Sequence, residues 1–288
     1  MIIVTGAAGF IGSCMIRRLN DAGFSDIVAV DDFSRADKNR NLEGKQVAAR
    51  VERLQFVRWL ERYHHDVDAV FHLGARTDTT EMDEALFDVL NVEYSRALWI
   101  LCCGYEIPFF YASSAATYGL GEHGYADDPD TCRHLQPLNP YGWSKQKFDL
   151  WVLEQPQQPP RWAGFKFFNV YGPNEYHKGR MASVAFHHFN QYRASGKVQL
   201  FAGHGGYASG EQRRDFVRQA QQQARRAVAA APATRFQPQA LGQAGFQRQL
   251  AVAAHGRDAQ FLFGQRAGLA HAALGQQFDD AVHGAQVA

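Results

Sequence analysis

Ile2-Ile3-Val4-Thr5-Gly6-Ala7-Ala8-Gly9-Phe10-Ile11-Gly12 opens the chain with an apolar run that breaks at a glycine-rich turn. The run predicts a buried strand over Ile2–Val4, and the pattern after the turn predicts an amphipathic helix from about Gly12 to Ala22. Gly6, Gly9 and Gly12 stand three apart where strand gives way to helix. A turn without Cβ atoms lets backbone amides approach a pyrophosphate, and the helix N-terminus adds the positive end of its dipole. A glycine triplet alone also fits an ordinary tight turn between strand and helix. The rest of the chain decides between the two.

Short apolar runs alternate with helical periods from there on. Asp26–Val30 reads as a second strand that ends at Asp31-Asp32, followed by a polar, basic stretch from Arg35 to Arg53. Val67–His72 is a further buried strand, Leu86–Cys103 a helix, and Pro108–Ala112 another strand. Phe165–Phe168 adds one more and leads into Asn169-Val170-Tyr171-Gly172-Pro173. Such alternation predicts an α/β fold: a Rossmann-type, doubly wound parallel sheet with helices on both faces. At 288 residues the chain has room for one large domain, or for a nucleotide domain and a smaller lobe.

A formal net charge of +1 gives no reason to expect nucleic acid or an anionic membrane as partner. Cys14, Cys102, Cys103 and Cys132 lack metal-ligand spacing and read as free thiols. No metal site is expected; His64-His65 and His187-His188 are adjacent pairs, which on one helix do not face a common ion. No basic-plus-apolar leader and no membrane-length apolar run stands in the sequence, so a cytoplasmic protein is expected.

Two segments carry residues suited to chemistry. Ser113-Ser114-Ala115-Ala116-Thr117-Tyr118-Gly119 follows a strand and places two hydroxyls at the carboxyl edge of the sheet. Asn139-Pro140 then reads as an N-cap and first helical residue, so Tyr141 and Lys145 share one helix face. A phenol of ordinary pKa about 10 is a poor base at neutral pH. The ammonium of Lys145 and the helix dipole are expected to favour the phenolate. Tyr141 then exchanges a proton with a substrate hydroxyl while Ser114 hydrogen-bonds the same oxygen. Asp31, nineteen residues after Gly12, points to NAD by the ribose rule, whereas Arg35, Lys38, Arg40 and Arg53 suit a 2′-phosphate. The residues alone leave NAD against NADP open. Lys178, in His177-Lys178-Gly179-Arg180, suits a phosphate ligand or a proton carrier, and Arg213 or Arg214 suits a diphosphate clamp.

These residues resemble a known family. The chain from Met1 to about Val217 is similar to the ADP-L-glycero-D-manno-heptose 6-epimerases, extended short-chain dehydrogenase/reductases of lipopolysaccharide inner-core synthesis. The glycine turn, Asp31, Asn91, Ser113-Ser114, Tyr141 and Lys145 fit other nucleotide-sugar enzymes nearly as well. Thr79-Thr80-Glu81, Tyr111 to Gly119 and above all Phe168 to His187 are specific to the heptose epimerases. The resemblance implies NADP-dependent, redox-neutral epimerisation of the ADP-heptose at carbon 6″ by a homo-oligomeric, commonly pentameric, protein. It implies Tyr141 and Lys178 as the acid/base residues, supported by Lys145 and Ser114. The implied cofactor contacts are Gly6, Gly9, Phe10, Ile11, Gly12, Asp31, Asp32, Lys38, Arg53, Leu73, Gly74, Ala75, Asn91, Lys145, Val170 and Lys178. On the substrate side they are Ser114, Asn169, Arg180, His187, Phe201, Arg213 and Arg214. Another nucleotide-sugar epimerase or dehydratase is the alternative, although Ala115-Ala116-Thr117-Tyr118 lacks a dehydratase's acidic pair. A non-catalytic NADP-binding remnant is the other.

The resemblance stops at Val217. Residues 218–288 contain no Lys, Glu, Ile, Ser, Asn, Tyr, Trp, Cys or Met and are dominated by Ala and Gln. That composition is foreign to globular domains, and it does not repeat as low-complexity linkers do. A segment read out of frame is the preferred account, and no strand is expected in it. The predicted division is a dinucleotide-binding domain over 1–170, an incomplete substrate lobe over 171–217 and an atypical tail over 218–288. With half of the lobe replaced, weak or absent activity is expected of this chain.

Overall fold

The computed structural model describes residues 1–126, 128–203, 206–211, 216–218 and 260–263. Its centre is a seven-stranded sheet in the order β3-β2-β1-β4-β5-β6-β9, formed by β1 (Ile2–Thr5), β2 (Ile27–Asp31), β3 (Ala49–Glu52), β4 (Ala69–His72), β5 (Phe109–Ser114), β6 (Trp162–Phe167) and β9 (Gln260–Phe263). The first six run parallel, and β9 pairs antiparallel with β6, with Phe165 opposite Phe261. Strand order reverses between β1 and β4, and in open α/β sheets the crevice beyond the strand ends at such a switch point takes the ligand.

Successive side chains on a strand face opposite ways, so each strand feeds two cores. Ile2, Val4, Ile27, Ala29 and Phe71 pack with Met15, Ile16 and Leu19 of helix α1 (Phe10–Asp21). Ile3, Val28, Val30, Val70 and Phe109 pack on the other face. That face is covered by helices α3 (Arg53–Tyr63), α5 (Tyr94–Gly104) and α7 (Pro140–Glu154) through Phe56, Leu60, Leu98, Trp99, Phe148 and Val152. Buried side chains of this size stabilise by about 1.5–3 kcal/mol each. Trp99 anchors the second core, its ring centroid 5.2 Å from Trp162 and 5.9 Å from Phe109.

Beyond the sheet lie the short helices α2 (Ala36–Asn39), α4 (Glu84–Phe87) and α6 (Pro129–His134) and the longer α8 (Val184–Ser195). A second, two-stranded sheet pairs β7 (Asn169–Tyr171) in parallel with β8 (Phe216–Arg218).

The structure departs from the sequence-based expectation in β3, β7, β8 and β9, of which β3 and β9 belong to the main sheet. β3 lies inside the stretch read as merely polar and basic. It is a one-sided strand in which only Val51 is buried, with Arg50 and Glu52 facing solvent, so its apolar signal is a single residue. β9 lies in the tail where no strand was expected; its run Gln260-Phe261-Leu262-Phe263 pairs along the open edge of β6.

A Cβ on Gly12 would lie 2.2 Å from the Gly6 carbonyl oxygen, whereas a Cβ on Gly104, at the end of α5, meets nothing within 4 Å. Gly12→Ala should therefore destabilise the protein by about 1–3 kcal/mol, and Gly104→Ala should be neutral or stabilise it by up to about 1 kcal/mol. Urea unfolding of the two variants checks this.

Candidate active site at the switch point

Thr5 and His72 end the two central strands, and the turns that follow them touch. Gly6 has φ +66°, and a Cβ there would sit 2.7 Å from the Gly74 Cα. Only glycine accepts both the left-handed backbone and the contact. Beyond Gly9, α1 begins with no side-chain cap and no acidic residue in its first turn. This leaves a helix N-terminus that favours an anion, beside a turn that a phosphate can approach closely.

Asp31 closes the cradle. Its Oδ2 accepts the Ala8 amide at 2.8 Å, and its Oδ1 accepts the Asp32 amide at 2.7 Å and the Lys38 ammonium. The acid is thus tied to the glycine turn and neutralised by a lysine rather than left as a lone anion. Arg53 lies 4.0 Å from Asp32 and stays 39% exposed. Two cations at this end of the cleft suit a phosphate next to a ribose. The glycine cradle, the uncapped helix and this cationic corner together fit a phosphorylated dinucleotide.

The hydroxyl pair sits at the next strand end. Asn139 Oδ1 accepts the Gly142 amide at 2.8 Å and starts α7, with Pro140 in the first turn. Gly142 has no room for a Cβ, which would lie 2.9 Å from the Ala116 oxygen, so the helix start presses against the turn after β5. Ser114 and Tyr141 meet there in a side-chain hydrogen bond. Lys145 is buried, and its Nζ donates to the Ala112 carbonyl at 2.8 Å.

The expected electrostatics of Tyr141 are corrected by this geometry. Burial pushes its phenol up, the Ser114 hydrogen bond pulls down, and Asp149 pushes up again. Desolvation outweighs the help expected from Lys145, whose ammonium is anchored on Ala112. Tyr141 is therefore a protonated phenol at neutral pH. Burial also lowers Lys145, to about 8, against the opposing pull of Asp149.

A buried hydrogen-bond chain joins the cradle to this helix. The Gly74 amide donates to Thr5 Oγ1 at 3.1 Å, Thr5 Oγ1 meets His72 Nδ1 at 2.7 Å, and His72 Nε2 meets Ser95 Oγ at 2.9 Å. Ser95 Oγ donates to the Asn91 carbonyl at 2.5 Å. The Asn91 side chain clasps the Arg76 backbone on both sides and donates to Ser144 Oγ at 2.9 Å, and Ser144 donates to the Tyr141 carbonyl at 2.7 Å. Because the one Ser95 proton goes to Asn91, His72 Nε2 must donate and Nδ1 must accept. Asn91 stands in a π-helical turn, Asp88–Glu93, which aims it inward. It is 2% exposed with its donors engaged, so it braces the cleft from behind and does not line it.

The opposite wall is the turn Tyr176–Met181. Buried Glu175 accepts the Gly172 amide, the Ser183 amide and the Ser183 hydroxyl at 3.1, 2.5 and 2.9 Å and so holds both ends of the turn. Lys178 is half-buried, its Nζ 5.6 Å from the centroid of the Phe10 ring; burial lowers its pKa, and Glu175 opposes this. Arg180 pairs with Asp78 at 2.8 Å, and His187 Nε2 lies 3.3 Å from the Arg180 carbonyl. Asn169 and Val170 lie in β7, half-buried, and Phe201 is exposed beyond α8. Leu73 and Ala75 flank Gly74, while Arg213 and Arg214 lie outside the described residues.

Sequence reasoning missed Asn41, whose Nδ2 contacts the Ala8 and Asn174 carbonyls, each at 3.0 Å, and so ties the glycine turn to this wall. It also missed His72, Ser95 and Ser144, ordinary residues singly, whose role exists only in the assembled chain. Among the described residues no cluster of three or more His, Cys, Asp or Glu could hold a metal, and no helix is long and apolar enough to cross a membrane.

The sequence pattern of the NAD dependent epimerase/dehydratase family matches residues 2–231. An ADP-L-glycero-D-manno-heptose-6-epimerase of Fusobacterium nucleatum subsp. nucleatum is 47% identical over 222 residues, covering 75% of this chain and 67% of that protein. The crystal structure of Helicobacter pylori ADP-L-glycero-D-manno-heptose-6-epimerase superposes with a TM-score of 0.62 at 28% identity, over 75% of this chain and 68% of that one. UDP-glucose 4-epimerase of Thermotoga maritima, solved with UDP-glucose, gives 0.57 at 25% identity, over 75% and 69%.

Burial holds His72 neutral, with a pKa near 3 against 6.5 for the free side chain. The unfolded chain therefore takes up the proton first as pH falls below 6.5, and this group should remove about 1.4 kcal/mol of stability per pH unit from there toward pH 3. Urea unfolding across that range, compared with His72→Gln, should show a shallower pH slope in the variant. Nitrogen NMR should find the Nε2–H tautomer.

Proposed function

The chain belongs to the NAD dependent epimerase/dehydratase family, and on that premise we propose that it epimerises ADP-D-glycero-D-manno-heptose to ADP-L-glycero-D-manno-heptose at carbon 6″. The observation that carries this reading is the convergence of the Ser114–Tyr141 hydroxyl pair, the glycine cradle and the Lys178 turn on one sheet edge. A nicotinamide dinucleotide, when bound, supplies a hydride acceptor and donor. Everything else falls to the chain's own residues.

Ser114 and Tyr141 hold the substrate hydroxyl by hydrogen bonds to its oxygen. Burial keeps Tyr141 a phenol, able to give a proton, and moves Lys178 toward a neutral amine, able to take one. One acid and one base served from two walls are what inversion at a carbon requires, since the sugar presents its two faces in turn. Lys145, Asn91 and Ser144 fix the register of Tyr141. Arg180, His187, Asn169, Phe201 and the Arg213-Arg214 pair are assigned to the substrate side.

NADP is the proposed cofactor. Lys38 cancels the charge by which Asp31 would discriminate against a 2′-phosphate, and Arg53 adds a second cation. The division into a cofactor domain over 1–170, a partial substrate lobe over 171–217 and an atypical tail belongs to the same proposal, as do homo-oligomeric assembly and a cytoplasmic location.

The test is conversion of ADP-D-glycero-D-manno-heptose by the purified chain with NADP, followed by proton NMR of the heptose, with UDP-glucose as control. Turnover of the ADP-sugar alone supports the proposal, and Tyr141→Phe should lower kcat by roughly 10²–10⁴-fold. Tight NADP binding without turnover would reduce the chain to a binding protein. Lys38→Ala combined with Arg53→Ala should weaken NADP by roughly ten- to a hundredfold while changing NAD by less than about threefold. Fluorescence titration of the reduced cofactors measures both.

A further inference from the structure

Tyr141, Lys145 and Asp149 recur every fourth residue on α7 and so lie along one stripe. Asp149 is fully buried, and the proposed chemistry gives it no part. Its surroundings are built around it. Oδ1 accepts the Tyr111 hydroxyl at 3.0 Å; Oδ2 accepts the Ser113 hydroxyl and the Lys166 ammonium, each at 2.6 Å. Lys166 is itself 3% exposed and donates also to Thr117 Oγ1 at 2.9 Å, while Thr117 donates to the Ser114 carbonyl at 2.8 Å. The ion pair therefore grips the chain on both sides of Ser114, through Ser113 before it and Thr117 after it.

An ion pair this deep is a poor source of stability, because desolvating two charges offsets most of their attraction. Its position is more informative. The pair lies under Ser114, at the root of the stripe that carries Tyr141 and Lys145. We propose that Asp149, held by Lys166, is a positioning residue of this site: it fixes Ser114 from below and places a buried negative charge at the root of the stripe that carries Tyr141 and Lys145.

The charges around it support that role. Lys145 and Tyr141 on α7 are both pushed toward their protonated forms by Asp149. Tyr111 on β5 faces the same carboxylate and is held a neutral phenol, pushed well above its usual range by burial first and Asp149 second. Cys132 on α6 is raised to about 11, by burial first, with Lys166 and Asp149 opposing each other. His72 on β4, the other titratable group that senses Lys145, stays neutral. Among the described residues, Asp149 is thus the anion that acts on the buried Lys145.

This inference rests on the proposed function only for the use made of the site, and its test needs neither substrate nor cofactor. Carbon NMR of the protein labelled at lysine Cε reads the ionisation of Lys145, its resonance identified by its loss in Lys145→Met. The wild-type midpoint is expected at about 8. Asp149→Asn alone strands the Lys166 charge and risks unfolding, so the deciding variant is Asp149→Asn with Lys166→Met, which removes both charges together. In that folded variant the Lys145 midpoint should fall by about one pH unit, and Asp149→Glu should hold it near the wild-type value. An unchanged midpoint in the double variant, or failure of the double variant to fold, overturns the proposal. Loss of epimerase activity in the wild type with the NMR shift intact would instead count against the function alone.

Discussion

At the switch point between β1 and β4, two backbone turns pass so closely that a Cβ on Gly6 would overlap Gly74, and one on Gly12 would overlap Gly6. Much of the site follows from that contact. It seats the first turn of α1 over the strand ends, where uncapped amides face the cleft. It brings the Gly74 amide onto Thr5, from which the buried chain through His72, Ser95, Asn91 and Ser144 runs to Tyr141. The cofactor cradle and the start of the helix bearing the hydroxyl pair are therefore parts of one rigid framework.

Burial then sets the chemistry of the side chains this framework holds. Tyr141 rises, and Lys145 and Lys178 fall, for the same reason: each loses water around its charged form. Opposite directions on a phenol and an amine divide the donor and acceptor roles between two walls of one cleft. Asp149 restrains the fall of Lys145 and Glu175 that of Lys178, so each amine has a buried or nearly buried carboxylate as its partner in charge.

The readable parts of the chain were those whose signal is local. Ile2–Val4, Val67–His72 and Pro108–Ala112 are apolar runs long enough to announce buried strands, and Asn139-Pro140 caps and starts its helix as those residues do in general. β3 hides because an edge strand with one buried residue has almost no apolar pattern. The π turn that aims Asn91 inward hides because a helical period predicts only a helix. The charge state of Tyr141 was misjudged because spacing places Lys145 on its face but cannot tell that the ammonium is anchored on Ala112.

The sequence by itself determined strands β1, β2, β4, β5 and β6 in their order, the glycine turn, the cap of α7 and the residues of the heptose epimerase pattern. Each of these depends on neighbours a few positions away. Tertiary structure decided the rest: the pairing of Asp31 with Lys38, the tautomer of His72, the inward brace of Asn91, and the Asp149–Lys166 pair beneath Ser114. Those depend on desolvation and on contacts between residues far apart in the chain, and neither exists until the sheet has closed its two cores around them.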